Sequence, residues 1–256
     1  MELHHRFDGP DDAPVLMLSN SLGTDLRMWE DQLAALADRF RVLRYDQRGH
    51  GRSPVSPGPY TIAELAGDAL ELLDNLGLER VSFCGVSLGG MTGMWLAINS
   101  PERLERLALC CTSARLPPRE MWTERAATVR AHGIEAVVNA QLERWFTPTL
   151  AELRPEALER TRRALLDTPA EGYAGCCEAI AAHDLVVELA SIRTPTLVLA
   201  AADDPATPPE HGRLIAEEIR GARLVVLDHG RHLVAVEHPE EFSREVLAHL
   251  VAEAAA

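Results

Sequence analysis

Val81-Ser82-Phe83-Cys84-Gly85-Val86-Ser87-Leu88-Gly89-Gly90-Met91 decides the fold of this chain. Val81 to Cys84 is a short, nearly all-apolar run of the kind found in strands covered on both faces, and Gly90 to Asn99 reads as helix. Between them lies Gly85-Val86-Ser87-Leu88-Gly89, a G-x-S-x-G run. Strand, tight turn and helix in that order predict a serine held on a strained corner, with glycines two residues to either side because the turn leaves no room for bulk. The following helix points its N-terminus at Ser87 and favours negative charge developing there. The bland alternative is a glycine-rich turn whose serine only caps the helix, and the strand–helix context argues against it.

Outward from this corner, short β-rich runs alternate with stretches of helical period. Val15 to Ser19, Arg41 to Tyr45 and Leu104 to Cys111 read as further strands. Thr61-Ile62-Ala63-Glu64 has capping-box spacing and opens a helix that runs to about Leu76, closed by Gly77. Alternation of this kind predicts an α/β fold, a mostly parallel central sheet flanked by crossover helices. From about Leu116 to Glu188 the strand signal vanishes, and Arg- and Glu-rich helical segments are punctuated by Pro117-Pro118, Pro148, Pro155 and Pro169. Strands resume at Pro195 to Ala201 and Arg223 to Leu227, with helices from about Pro209 and from Pro239. The expected organisation is one core, residues 1–115 and 189–256, carrying a helical cap, residues 116–188; the length of 256 residues suits one such unit.

A serine hydroxyl is a weak nucleophile until a base takes its proton, and the base needs a carboxylate to fix its tautomer and stabilise its charge. In this topology the partners follow in the order Ser, Asp, His, on loops after later strands. Asp203-Asp204-Pro205 follows one such strand and His229-Gly230-Arg231-His232 the other. Turn chemistry favours Asp204 over its neighbour Asp203, and a place further out in the loop, just ahead of the last helix, favours His232 over His229. Acyl transfer also needs two oxyanion donors. One is expected from the backbone N–H of Leu88 and the other from the loop Asn20-Ser21-Leu22-Gly23, after the strand Val15 to Ser19.

Composition excludes much else. All 25 basic residues are Arg, and without a lysine amine no Schiff-base, pyridoxal-phosphate, Ser-Lys or G-K-[ST] phosphate-loop chemistry operates. A net charge of −14 with no basic cluster argues against nucleic-acid and membrane-surface roles. The start, Met1-Glu2-Leu3-His4-His5-Arg6, lacks the order of a signal peptide, and no apolar stretch is long enough to cross a bilayer, so a cytoplasmic location is expected. Cys84, Cys110, Cys111, Cys176 and Cys177 lack C-x-x-C spacing and read as small core residues; no His spacing supports a metal site, so no metal is expected.

With these residues in hand, the chain resembles the α/β-hydrolase superfamily over essentially its full length, and within it the 3-oxoadipate enol-lactonases. The resemblance is carried by Ser19-Asn20-Ser21-Leu22-Gly23-Thr24, Tyr45 to Ser53, Cys84 to Met91, Asp204-Pro205-Ala206-Thr207-Pro208-Pro209, and His232-Leu233 with Glu237-His238-Pro239. Tyr45 to Ser53 marks only the superfamily, whereas the Asn-Ser-Leu-Gly-Thr and Gly-Val-Ser-Leu-Gly-Gly-Met versions resemble enol-lactonases in particular. The cap stretches Met121 to Arg125 and Trp145 to Pro148 are similar to theirs as well. One departure is Ala201-Ala202, where relatives often carry glycine.

The resemblance implies a triad of Ser87, Asp204 and His232, an oxyanion hole formed by the N–H groups of Leu22 and Leu88, no cofactor, and a small anionic enol lactone as substrate. Trp122 and Trp145 become candidate linings of a closed cap, the alternative being that both are aromatics of the cap's own core. The anion calls for a cation, which here means an arginine. Arg119, Arg125, Arg130 and Arg144 are the cap candidates against a background of ordinary solvated charges, with Arg125 preferred. Rival expectations are a broad carboxylesterase or cofactor-free perhydrolase of the same fold, and a non-catalytic ligand-binding protein on a hydrolase scaffold.

Overall fold

The computed structural model describes residues 1–252. Seven strands form one sheet: β1 (His5–Asp8), β2 (Val15–Ser19), β3 (Arg41–Tyr45), β4 (Val81–Val86), β5 (Leu104–Cys110), β6 (Thr196–Ala201) and β7 (Arg223–Leu227). Their spatial order is β1-β3-β2-β4-β5-β6-β7. Only β1 runs antiparallel to its neighbour, pairing His5 with Tyr45 and Asp8 with Val42. Every residue of β4 and β6 is buried, as the apolar runs require of strands covered on both faces.

Two boundaries differ from the sequence reading for a physical reason. β4 continues through Gly85 and Val86, which pair with Leu109 and Cys110, so Ser87 follows the last rung directly. β5 stops at Cys110 because Cys111 turns to φ 42°. β1 has no apolar alternation to announce it, being a short edge strand of sequence His-Arg-Phe-Asp.

The crossover helix after β3 buries one face, whereas the one after β4 is buried nearly all round. In α1 (Ile62–Asn75), Thr61 Oγ1 accepts the N–H of Glu64 at 3.1 Å and Glu64 Oε2 accepts the N–H of Thr61 at 2.8 Å, so both halves of the capping box form. Helix α2 (Leu88–Asn99) packs on β4 and β5. Between β5 and β6 the chain makes α3 (Arg119–His132), α4 (Val138–Trp145), α5 (Pro155–Leu166) and α6 (Ala170–Ala182), with shorter turns between them and α3 packed on α6. A single bridge, Arg115 to Asp184, joins the two ends of this helical segment. Helices α7 (Pro209–Glu218) and α8 (Pro239–Leu250) follow β6 and β7.

All five cysteines are buried and unpaired. Among the described residues, no helix is long and apolar enough to cross a membrane.

The strand order fixes where a site belongs. From β2 the chain moves one way to β3 and then crosses back to place β4 on the other side of β2. The carboxyl ends of β2 and β4 therefore flank the switch point, where open α/β sheets present a crevice.

Candidate active site

Ser87 sits at that switch point with φ 57° and ψ −113°. Its flanking glycines are sterically required: a Cβ on Gly85 would lie 2.3 Å from the carbonyl of Gly89, and one on Gly89 would lie 2.2 Å from the carbonyl oxygen of Ser19. The strained corner is fastened from β5, since the N–H of Ser87 donates to the Cys110 carbonyl at 2.9 Å and the Thr112 hydroxyl donates to the Ser87 carbonyl at 2.7 Å.

His232 and Asp204 are brought to Ser87 from residues 145 and 117 positions away in the chain. His232 Nε2 lies 2.8 Å from Ser87 Oγ, and His232 Nδ1 lies 2.8 Å from Asp204 Oδ2. All three are buried. Asp203 and His229, the neighbours that share their loops, are exposed. The turn after β6 explains the choice: Asp204 Oδ1 accepts the N–H groups of Ala206 at 2.7 Å and Thr207 at 3.0 Å, which aims Oδ2 at the ring. Burial opposes charge on Asp204, yet the adjacent His232 and hydrogen bonds from His232 and Thr207 outweigh it and hold the carboxyl below the usual carboxylate range. A charged Asp204 fixes the proton of His232 on Nδ1 and leaves Nε2 free to accept from the Ser87 hydroxyl.

Of the backbone amides of Leu22, Gly23, Leu88 and Gly89, two are occupied and two are not. The N–H of Gly23 donates to His50 Nε2 at 2.9 Å and that of Gly89 to the Asn20 carbonyl at 3.0 Å. Those of Leu22 and Leu88 have no protein acceptor among the described residues; that of Leu88 belongs to the first turn of α2, where amides are unpaired by geometry. The loop carrying Leu22 is rigidly held, with Asn20 accepting from Trp29 Nε1 at 2.8 Å and donating to the Tyr45 carbonyl at 2.7 Å. Burial pushes the His50 ring down to about 4, against the opposing pull of the Arg48 carbonyl, so it stays neutral and able to accept from Gly23.

Ser87 and His232 open into a cavity of about 230 Å³. Its walls come from both the sheet loops and the helical segment, and include Leu22, Trp122, Arg125, Arg144 and Trp145. Among the described residues no Asp or Glu lines it. Arg125 lies 4.5 Å over the Trp122 ring, and neither Arg125 nor Arg144 makes an ion pair among the described residues. Arg130, by contrast, is clasped by Glu171 and Glu178, and Arg119 lies exposed outside the cavity. Trp122 Nε1 is buried without an acceptor among the described residues.

Wall residues that escape sequence reading include Gln141, Thr207 and His211. Thr207 Oγ1 donates to Asp204 Oδ2 at 2.7 Å, and its place in the turn Asp204-Pro205-Ala206-Thr207 is the signal that would have found it. Gln141 and His211 sit on helices where nothing local sets them apart.

Residues 14–239 match the profile of a family described as alpha/beta hydrolase fold. 3-Oxoadipate enol-lactonase 2 of Acinetobacter baylyi (strain ATCC 33305 / BD413 / ADP1) is 42% identical over 246 residues, covering 96% of this chain and 92% of that protein. The crystal structure of the enol-lactonase from Burkholderia xenovorans LB400 superposes with a TM-score of 0.95 at 47% identity, covering 98% of this chain and 96% of that one. The putative carbamate hydrolase RutD of Stutzerimonas stutzeri (strain A1501) is 34% identical over 254 residues, covering 97% of this chain and 95% of that protein. With its family profile spanning most of the sequence and its sheet carrying the family's turn at Ser87, the chain belongs to the α/β-hydrolase fold family and is similar within it to the 3-oxoadipate enol-lactonases.

Proposed function

We propose that this carboxylic-ester hydrolase opens the ring of 3-oxoadipate enol-lactone to 3-oxoadipate, a step in the breakdown of aromatic compounds by way of protocatechuate or catechol, in the cytoplasm. The observation that carries the proposal is the pairing of a Ser87–His232–Asp204 relay with a small cavity whose walls hold Arg125 and Arg144 and no carboxylate, in a chain of net charge −14. Such a wall attracts an anion that the rest of the surface repels.

In the proposed mechanism, His232 Nε2 takes the Ser87 proton as Oγ attacks the ring carbonyl, and the N–H groups of Leu22 and Leu88 stabilise the oxyanion. The ring C–O bond then breaks. The departing enolate takes the proton from His232 and ketonises, remaining tethered through the acyl chain. Water, deprotonated by His232, attacks the acyl-enzyme, and Ser87 recovers its proton. Residues 116–188 serve as the cap that excludes bulk water during acylation, with Trp122 and Trp145 as walls and Arg125, stacked on Trp122, receiving the acetate carboxylate. No cofactor takes part. The partner is a small anionic molecule, with neither nucleic acid nor membrane involved.

A second reading has the RutD-type similarity behind it: the same relay would hydrolyse a carbamate instead. The test is a substrate comparison on the wild-type protein. The proposal expects kcat/KM for the enol lactone to exceed those for 4-nitrophenyl acetate and for a simple carbamate by at least about 100-fold, the discrimination available when a charged partner is present in one substrate and missing in the others. Equal or reversed ranking would overturn it.

A further inference from the structure

Glu237 is a buried carboxylate that the mechanism above does not use. It ends the short helical turn Val234–Glu237, five positions after His232. A buried carboxylate is costly unless its oxygens are well bonded, and here they are bonded to two separate parts of the molecule. Oε2 accepts the N–H of Arg231 at 2.9 Å. Oε1 accepts the N–H of Thr147 at 2.8 Å and the Thr147 hydroxyl as well.

Arg231 immediately precedes His232, and Thr147 lies two residues beyond Trp145. On the other side of His232, the N–H of Leu233 donates to the Trp145 carbonyl at 3.1 Å. The Arg231 guanidinium adds bonds to the carbonyls of Phe146, at 3.2 Å, and of Glu143. Both neighbours of His232 are therefore bonded to residues 143–147, the stretch that contributes Arg144 and Trp145 to the cavity wall. Gly230 permits the close approach, with φ +95° and a would-be Cβ only 2.8 Å from the His238 ring and 3.4 Å from Glu237 Oε2.

We propose that Glu237 is a positioning residue that fastens the His232 loop to the helical segment, so that the base and the wall that seats the substrate keep one register. The proposal rests on the Ser87–His232 reading of the site and not on the identity of the lactone. Its physical basis is that a displacement of about 1 Å between base and reacting atoms costs on the order of 10²-fold in rate, and Glu237 is the carboxylate among the links between base and wall, with one oxygen on each side.

The test uses the full-length protein, with active sites counted by covalent fluorophosphonate labelling and turnover of 4-nitrophenyl acetate expressed per labelled site. Glu237→Gln keeps the shape but faces an N–H with a donor. Thr147→Val removes one hydroxyl, and Thr147→Ser restores it. The expected result is a kcat per labelled site lower by about 10-fold in Glu237→Gln and about 3-fold in Thr147→Val, with KM changed less than about 2-fold and Thr147→Ser near wild type. The double variant Glu237→Gln/Thr147→Val should be no slower than Glu237→Gln alone, because both changes act through one contact. Wild-type kcat per site in a folded Glu237→Gln, or equal rates for Thr147→Val and Thr147→Ser, would overturn the proposal; the Thr147 pair decides it if Glu237→Gln fails to fold. A wild-type Ser87 that resists labelling would sink it together with the site reading. Absence of lactone turnover alongside intact labelling would sink only the lactone assignment.

Discussion

The carboxyl edge of the sheet and the helical segment over it meet in one cavity but are built on different logic. At the sheet edge each proposed reacting group stands directly after a strand, with Ser87 after β4, the Asp204 turn after β6 and the His232 loop after β7; the Ser87 corner is fastened from β5 and Thr112, the Asp204 turn by its own carboxylate, and the His232 loop through Glu237 to Thr147. The helical segment supplies its groups from the faces of helices: Trp122 and Arg125 from α3, Gln141, Arg144 and Trp145 from α4. Groups placed on strand ends keep their places relative to one another, while a wall of helix side chains is free to vary substrate choice so long as the tether through Glu237 to Thr147 is kept.

Removing a proposed reacting group at the sheet edge tests this division most severely. Ser87→Ala should lose on the order of 10⁶-fold in kcat with any ester or lactone and all fluorophosphonate labelling. Retention of a tenth of the activity would move the chemistry elsewhere. Next in size, Asp204→Asn should cost about 10⁴-fold, because an amide no longer fixes the His232 proton on Nδ1. The loss should be alike for a lactone and an acetate ester in steady-state assays; a loss confined to one would mean that Asp204 serves substrate choice.

The smallest effect concerns acid stability, to which His183 of the helical segment contributes along with His50 and His249 of the rest of the chain. Burial holds the rings of His50, His183 and His249 down to about 4 from an ordinary 6.5, so the unfolded chain binds protons that the fold does not. The stability they contribute is complete above pH 6.5 and is lost as the pH falls from 6.5 towards 4. Across the helical segment, hydrogen bonds from Arg130 and the N–H of Gly58 hold Glu171 at about 2 against an ordinary 4.5. That contribution persists until the pH falls through 4.5. Calorimetric melting from pH 7.5 to 3.5 should therefore show a Tm that declines from about pH 6.5, set first by the buried histidines. A flat Tm down to pH 4.5 would contradict this.

Much of the sheet edge is legible in the sequence. The G-x-S-x-G turn, the apolar strands and the chain order Ser, Asp, His are local signals, and the strand ends do the rest. β1 was invisible because an edge strand of four mixed residues has no period to read. The wall was legible only as a set of candidates. Arg119, Arg125, Arg130 and Arg144 look alike in sequence, and what divides them is tertiary: Glu171 and Glu178 satisfy Arg130, while Arg125 and Arg144 face the cavity without a carboxylate partner. Gln141 and His211 were missed for the same reason, since helical periodicity reports burial and not which buried face borders a cavity.

The most direct test of this division is the ratio of kcat/KM for the enol lactone to that for 4-nitrophenyl acetate, compared between wild type and Arg125→Ala/Arg144→Ala. The account predicts that the ratio falls by at least about 10- to 100-fold, through the lactone's KM, with acetate hydrolysis and Ser87 labelling within about 3-fold of wild type. An unchanged ratio, whether both activities persist or both fall together, would contradict it.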